Sequence, residues 1–70
     1  MIYLVAVNNI QADNYAKEHG LHRWEYKTIT HYDQFRGIRL YHTTLIVKVG
    51  EWWKSKNLFN IDEIIRERTT

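Results

Sequence analysis

The stretch at residues 2–7 (IYLVAV) is apolar at every position. Successive side chains of a β-strand point to opposite faces of its sheet, so a strand without polar positions must be covered on both faces. Such strands are typical of parallel sheets that carry a layer of structure on each side. We therefore predict an α/β fold with this strand in the centre of the sheet.

A helix is predicted directly after this strand. Asn8 and Asn9 end the apolar run, and Asn8 with Gln11 matches a capping box. Gly20 followed by Leu21 is typical of a helix end with a hydrophobic contact. Between these signals, apolar or aromatic residues recur at helical spacing at Ala12, Tyr15, Ala16 and His19.

Two further strands are predicted. Residues 23–30 alternate, with Trp24 and Tyr26 on one side and charged residues on the other, which indicates a strand at the edge of a sheet. Residues 31–37 have room for one helical turn and no crossover helix. Residues 43–49 are rich in β-branched side chains and predict a third, mostly buried strand.

The second helix is predicted over residues 60–68. Asn60 and Glu63 form a capping pair, and Phe59 with Ile64 matches a hydrophobic staple. Acidic residues lie in the first turn and arginines in the last turn, as the helix dipole favours. The apolar face contains Ile61, Ile64 and Ile65.

These elements give the order β-α-β-β-α in a single domain of residues 1–70. We predict a small three-stranded, all-parallel sheet with two helices, a reduced Rossmann-like arrangement with a right-handed first crossover. A chain of 70 residues buries only about 60% of its unfolded surface. It contains no cysteine, so disulfides cannot add stability, and we expect a homo-oligomer.

Charge and hydropathy limit the class of protein. The net charge of +2 and pI near 9.0 permit contact with nucleic acid without requiring it. The run at residues 2–7 is too short to span a bilayer, and Lys48 interrupts the other apolar run. No basic segment precedes the first run, as a signal peptide would require. We expect a soluble, intracellular protein without membrane contact.

Several short motifs occur in order along most of the chain. After the apolar strand and the helix ending at Gly20 come W-x-Y (Trp24, Tyr26), R-G-x-R (residues 36–39) and G-x-W-W (residues 50–53). In this order they resemble short accessory proteins encoded by phages of actinobacteria, and the arrangement is similar to half of a Rossmann-like nucleotide-binding domain. The resemblance implies a small α/β fold and a role in the cytoplasm of a bacterial host.

The motifs of common ligand sites are incomplete. A Rossmann nucleotide site needs a glycine-rich turn after the first strand, whereas residues 7–10 contain no glycine, so Asn8 and Asn9 either bind a ligand or only turn the chain. His19 and His22 have an HxxH spacing, but a zinc site would also need His31 and His42. His31 and Asp33 follow the second strand without a serine or cysteine nucleophile. We predict no cofactor, no metal and no enzymatic activity.

Binding to nucleic acid or to a nucleotide is the alternative that the residues leave open. Basic residues interleave with aromatic ones, which could form a platform for single strands at the carboxyl ends of the sheet strands. Acidic residues at Glu25, Asp33 and Glu51 dilute this patch. The residues concerned are Arg23, Lys27, Arg36, Arg39, Lys48, Lys54 and Lys56, with Trp24, Tyr32, Trp52 and Trp53.

The adjacent Trp52 and Trp53 favour a different function. In an extended chain their side chains point to opposite sides, so one seals the core and the other serves an interface. The connection between the second and third strands is too short to cover its face of the sheet well, so the second helix must do so in part. Trp53 is nearer that helix, and we assign it to the core and Trp52 to the interface.

We therefore predict a protein-interaction module that self-associates and binds a host factor. Trp, Tyr and Arg are the residue types that dominate interface energies. The predicted interface residues are Trp52, Trp24, Tyr32, Arg36 and Arg39.

Overall fold

The computed structural model describes residues 2–41 and 43–69. Its main elements are β1 (Ile2–Val5), α1 (Asn9–Glu18), β2 (Tyr26–Ile29), β3 (Leu45–Lys48) and α2 (Ile61–Arg68). Short 3₁₀ turns lie in the loops at Arg23–Glu25, Tyr32–Phe35 and Trp52–Lys54. The predicted order β-α-β-β-α is confirmed.

The three strands form an open parallel sheet in the order β2-β1-β3. Ile2 lies opposite Tyr26 on one side and Leu45 on the other, and Val5 lies opposite Ile29 and Lys48. The predicted central position of β1 and the parallel pairing are confirmed. The connection after β1 leads to β2 on one side of β1. The connection after β2 passes across β1 and leads to β3 on the other side.

Alternation along β1 creates two cores. Leu4 and Ala6 pack on one face against Ala12 and Ala16 of α1, and these alanines let the helix lie close to the sheet. Val5 faces the other side, in a cluster with Ile29, Phe35, Leu40, Leu58 and Ile61. Both faces of β1 are therefore covered within the chain.

The connection between β2 and β3 covers more of the sheet than its length suggested. Phe35 and Leu40 lie in this connection, and both are fully buried beside α2. The expectation of thin cover on this face is therefore wrong. The connection between β2 and β3 contains no crossover helix. It still covers this face of the sheet, because its two large side chains are buried beside α2.

The ends of α1 follow the sequence signals. The Asn8 side chain accepts a hydrogen bond from the backbone N–H of Gln11 at 2.9 Å, which is one half of the predicted capping box. The Gln11 side chain lies toward Gly50 and does not complete the box. At the other end Gly20 has a φ of 66°, a conformation that favours glycine. This turn lets the N–H of Leu21 donate to the carbonyl of Ala16 at 2.8 Å, which closes the helix as predicted.

The start of α2 differs from the prediction. Asn60 makes no side-chain capping bond, and its backbone is not in the extended conformation that an N-cap residue needs. Its amide oxygen is buried without a hydrogen-bond partner among the described residues. Phe59 is largely exposed, so the predicted staple with Ile64 buries little of it. A turn precedes the helix instead, in which the N–H of Ile61 donates to the carbonyl of Leu58 at 3.0 Å.

Both outer strands are shorter than predicted. The backbone at Arg23–Glu25 forms a 3₁₀ turn, so Trp24 precedes β2 and does not share a strand face with Tyr26. β3 is an edge strand in which Leu45 and Lys48 are exposed, which corrects the expectation of a mostly buried strand. A β-branched run does not distinguish an edge strand from a central one.

Candidate interaction surfaces

The five predicted interface residues do not form one surface. Trp24 lies before β2, whereas Tyr32 and Trp52 follow β2 and β3 and therefore lie at the opposite end of a parallel sheet. Tyr32 packs against the core, with its ring stacked on His31. Arg36 is exposed and pairs with Asp33 at 3.4 Å. Arg39 is exposed in a shallow depression beside Glu67 and Arg68.

The two adjacent tryptophans have unequal environments. The prediction that Trp53 belongs to the core and Trp52 to the exposed surface is wrong, because the structure has them the other way round. Trp52 is half-buried against the core on the α2 side, and the Lys48 ammonium lies 4.9 Å from its ring centre. Trp53 is 56% exposed. The pair lies in a 3₁₀ turn with perpendicular rings, so helical curvature and not strand alternation separates the two side chains.

Four large apolar side chains are exposed at the carboxyl end of the sheet, three of them in loops and one, Ile10, in the first turn of α1. Ile10 and Phe59 are 70% and 71% exposed, and Val7 and Trp53 are also exposed. We call Val7, Ile10, Trp53 and Phe59 the carboxyl-end patch. Soluble proteins expose single apolar residues commonly, so the feature that makes this end a candidate interaction site is that four such residues occur there.

Contacts between the loops hold this end of the sheet together. A Cβ atom added to Gly50 would lie 3.2 Å from Oε1 of Gln11, so the loop after β3 lies against the start of α1. The N–H of Tyr32 donates to the carbonyl of Asn57 at 2.9 Å, which fixes the segment before Phe59 beside the end of β2. This is the end where open parallel sheets bind ligands, at the point where connections diverge.

A polar cleft lies on the other side of α1. It has a volume of about 550 Å³ and runs between α1 and the edge strand β2. A second hollow of about 440 Å³ continues it toward Leu21 and His22. We call the combined feature the α1–β2 cleft; its charged and polar lining is Asn9, Asp13, Lys17, His22, Arg23, Tyr26, Lys27 and Thr28.

One hydrogen bond crosses this cleft. The Tyr26 hydroxyl donates to Oδ1 of Asp13 at 2.9 Å, and this bond raises the pKa of Tyr26 above its ordinary value of 10.0. Burial and the negative charge of Asp13 act in the same direction, whereas the positive charge of Arg23 opposes them. Tyr26 therefore stays a neutral donor at neutral pH, and it occupies the one carboxylate that lines the cleft.

An aromatic stack lies at one end of the cleft. The rings of His22 and Trp24 are parallel within 1°, with centres 4.6 Å apart. Trp24 is 77% exposed, so the indole has one face on His22 and most of its remaining surface in solvent. Because His22 also lines the cleft, the stack and the cleft are continuous.

His31 and His19 have local structural roles. His31 caps the 3₁₀ turn at Tyr32–Phe35. Its ring Nδ1 accepts a hydrogen bond from the backbone N–H of Asp33 at 3.0 Å, and its backbone N–H donates to Oε1 of Gln34 at 2.9 Å. His19 stacks on Tyr15, so it and His22 of the HxxH spacing have different ring partners. His42 lies outside the described residues. Within residues 2–41 and 43–69, no three histidine or acidic side chains cluster as metal ligands.

The two asparagines in the turn after β1 have different surroundings. The side chain of Asn8 is engaged in capping α1, while Asn9 lines the α1–β2 cleft.

In the part of the chain that the structure describes, neither helix has the length and apolar character needed to cross a membrane.

The fold and these surfaces define a small parallel α/β domain. No protein-family model matches the sequence, and no curated protein or solved structure matches it significantly either.

Sequence reasoning missed the residues that the fold brings to each surface. Ile10 and Lys17 were not singled out, although Asn9, Asp13 and Lys17 have the i, i+4, i+8 spacing of one helix side. That spacing could have indicated a polar groove along α1. For Phe59, the staple motif predicted a side chain packed on Ile64. That prediction requires Asn60 to have the extended backbone of an N-cap residue.

Proposed function

We propose that this protein is a non-enzymatic protein-interaction module that associates with a second copy of itself through the carboxyl-end patch. The observation that carries the proposal is the exposure of Ile10, Trp53 and Phe59 at the end of the sheet where parallel α/β proteins bind their ligands. Tryptophan is among the residue types with the largest contributions to interfaces. For so short a chain, self-association adds buried surface that one copy lacks.

The charges around this end of the molecule favour an identical partner. Lys54 pairs with Glu51 at 2.7 Å in the turn that carries Trp53, and Lys48 pairs with Asp62 nearby. In a two-fold dimer the same surface meets itself, so unpaired like charges near the axis would repel. Internal pairing of these charges reduces that repulsion.

As a further part of the proposal, the module works in the cytoplasm of a bacterial host and binds a host protein, in the manner of accessory proteins of actinobacterial phages. The motif order supports this role, as do the small size and the exposed aromatic residues. A host protein would compete with the second copy for the carboxyl-end patch.

Sedimentation of the wild-type protein and of Trp53→Ala tests self-association. We expect the wild-type protein to exceed its monomer mass of 8.6 kDa at micromolar to high micromolar concentration. Loss of a central tryptophan should weaken the dimer by about 2 kcal/mol, which is roughly a 30-fold increase in Kd.

Trp24→Ala is the matched control, because it removes an equally large and even more exposed side chain at the opposite end of the sheet. It should leave the dimer Kd unchanged. A wild-type protein that stays monomeric at high micromolar concentration would overturn the proposal, as would equal weakening by both substitutions.

A further inference from the structure

We propose that the α1–β2 cleft and the adjoining His22–Trp24 stack bind single-stranded nucleic acid. This site runs along α1 and the edge strand β2, from Asn9 to the amino end of β2, and its lining contains no residue of the carboxyl-end patch. It therefore stands independently of the proposed self-association. It also differs from a nucleotide site at the turn after β1.

The charge of the cleft suits a phosphate backbone. Lys17, Arg23 and Lys27 line it, against the single carboxylate of Asp13. None of the three cations forms an ion pair within residues 2–41 and 43–69, whereas Arg36, Lys48 and Lys54 are all paired there. Free cations along a groove attract phosphates and release condensed counterions on binding.

The carboxylate in the cleft is held by the protein. Oδ1 of Asp13 accepts the hydrogen bond from the Tyr26 hydroxyl at 2.9 Å, and three cations line the cleft against this one negative charge. Glu25 belongs to the same turn as Trp24 but does not line the cleft, and it is half-buried. The cleft therefore keeps an excess of positive charge where a strand would lie.

The aromatic stack supplies the second element of single-strand recognition. His22 holds the Trp24 ring on one face, and the exposed surface of the indole is available to a base. Proteins that bind single strands combine a basic groove with such stacking platforms. In a duplex the bases are stacked inside and cannot reach an exposed ring, so single strands are the favoured ligand.

The order of residues connects the two elements. Arg23 lines the cleft and lies between His22 and Trp24 in the sequence, and Lys27 follows on β2. A strand that places one base on Trp24 can therefore continue with its phosphates along Arg23 and Lys27. This geometry reads no base edges, so it predicts binding with little sequence preference.

Fluorescence anisotropy with a labelled oligothymidylate of about 12 nucleotides tests the site. The wild-type protein should bind at low salt and lose affinity steeply as salt increases. Trp24→Ala should lower the affinity about tenfold, and Trp24→Phe, which keeps an aromatic ring, should restore most of it. Tyr41→Ala is the matched control, because it removes an exposed aromatic ring that belongs to neither proposed surface, and it should bind as the wild type does.

The salt dependence separates stacking from phosphate contact. Arg23→Gln and Lys27→Gln should each lower the magnitude of the slope of log K against log salt by about 0.7, the value for one contact with a single strand. Trp24→Ala should leave the slope unchanged while lowering affinity at every salt concentration. Circular dichroism of each variant shows whether the fold is retained.

Three outcomes would overturn the inference. The first is the absence of measurable binding by the wild-type protein at low salt. The second is a folded Trp24→Ala variant with wild-type affinity, and the third is equal or tighter binding of a duplex of the same length. Each leaves the self-association experiment unaffected, so the two proposals fail separately.

Discussion

At the residue scale, Trp52 and Trp53 show how neighbouring identical side chains obtain different roles. Trp52 packs against the core and lies under the Lys48 ammonium, whereas Trp53 extends into solvent. The amount of apolar surface removed from water therefore differs between the two, and so should the free energy of unfolding that each contributes.

We predict that Trp52→Ala lowers the free energy of unfolding by about 2–3 kcal/mol, less than a fully buried tryptophan would because Trp52 is only half-buried. Trp53→Ala should change it by less than about 0.5 kcal/mol, as is usual for exposed positions. Urea unfolding followed by circular dichroism, at concentrations too low for self-association, measures both values. Equal losses would show that the 3₁₀ turn at Trp52–Lys54 does not persist in solution.

At the element scale, the two helices begin differently although asparagine precedes both. Asn8 has an extended backbone and accepts a hydrogen bond at the start of α1. Asn60 has a backbone near the helical region, and its buried amide oxygen has no partner among the described residues. One asparagine therefore satisfies a helix donor, while the other carries a cost of desolvation.

We predict that Asn8→Ala destabilises the protein by about 1 kcal/mol, the usual cost of a lost N-cap. Asn60→Ala should leave stability within about 0.5 kcal/mol of the wild type, or raise it slightly, because it removes a buried acceptor that has no donor. Thermal or urea unfolding of the two variants side by side provides the comparison. A larger loss for Asn60→Ala would mean that its side chain caps α2 in solution.

At the scale of the whole molecule, β1 joins the two cores. Leu4 belongs to the cluster under α1 and Val5 to the cluster under α2, and the two residues are adjacent in one strand. Neither cluster can lose its packing while this strand remains in place between them. The described part of the chain should therefore unfold in one cooperative transition.

We predict that Leu4→Ala costs about 2–5 kcal/mol and lowers the unfolding midpoint of both cores together. Far-ultraviolet circular dichroism reports both helices, and the fluorescence of Trp52 in a Trp24→Phe, Trp53→Phe background reports the core beside α2 alone. Leu45→Ala is the matched control, because Leu45 is exposed on the same sheet, and it should cost less than about 1 kcal/mol. Separate midpoints for the two signals would show that the cores unfold independently.

The sequence by itself determined the order of elements and the parallel sheet. The apolar run through Leu4 and Val5 required cover on both faces, which placed β1 in the centre. Local signals that depend on nearby backbone, such as the Asn8 cap and the Gly20 turn, were also predicted correctly, since their partners lie within a few residues.

Only the tertiary structure decided which exposed side chains share a surface. The 3₁₀ turns displaced Trp24 from β2 and separated Trp52 from Trp53, and no pattern of period two or 3.6 describes such turns. The α1–β2 cleft joins Asp13 to Tyr26 across 13 positions. Such neighbours depend on how elements pack, whereas the periodic patterns report only which face of each element is buried.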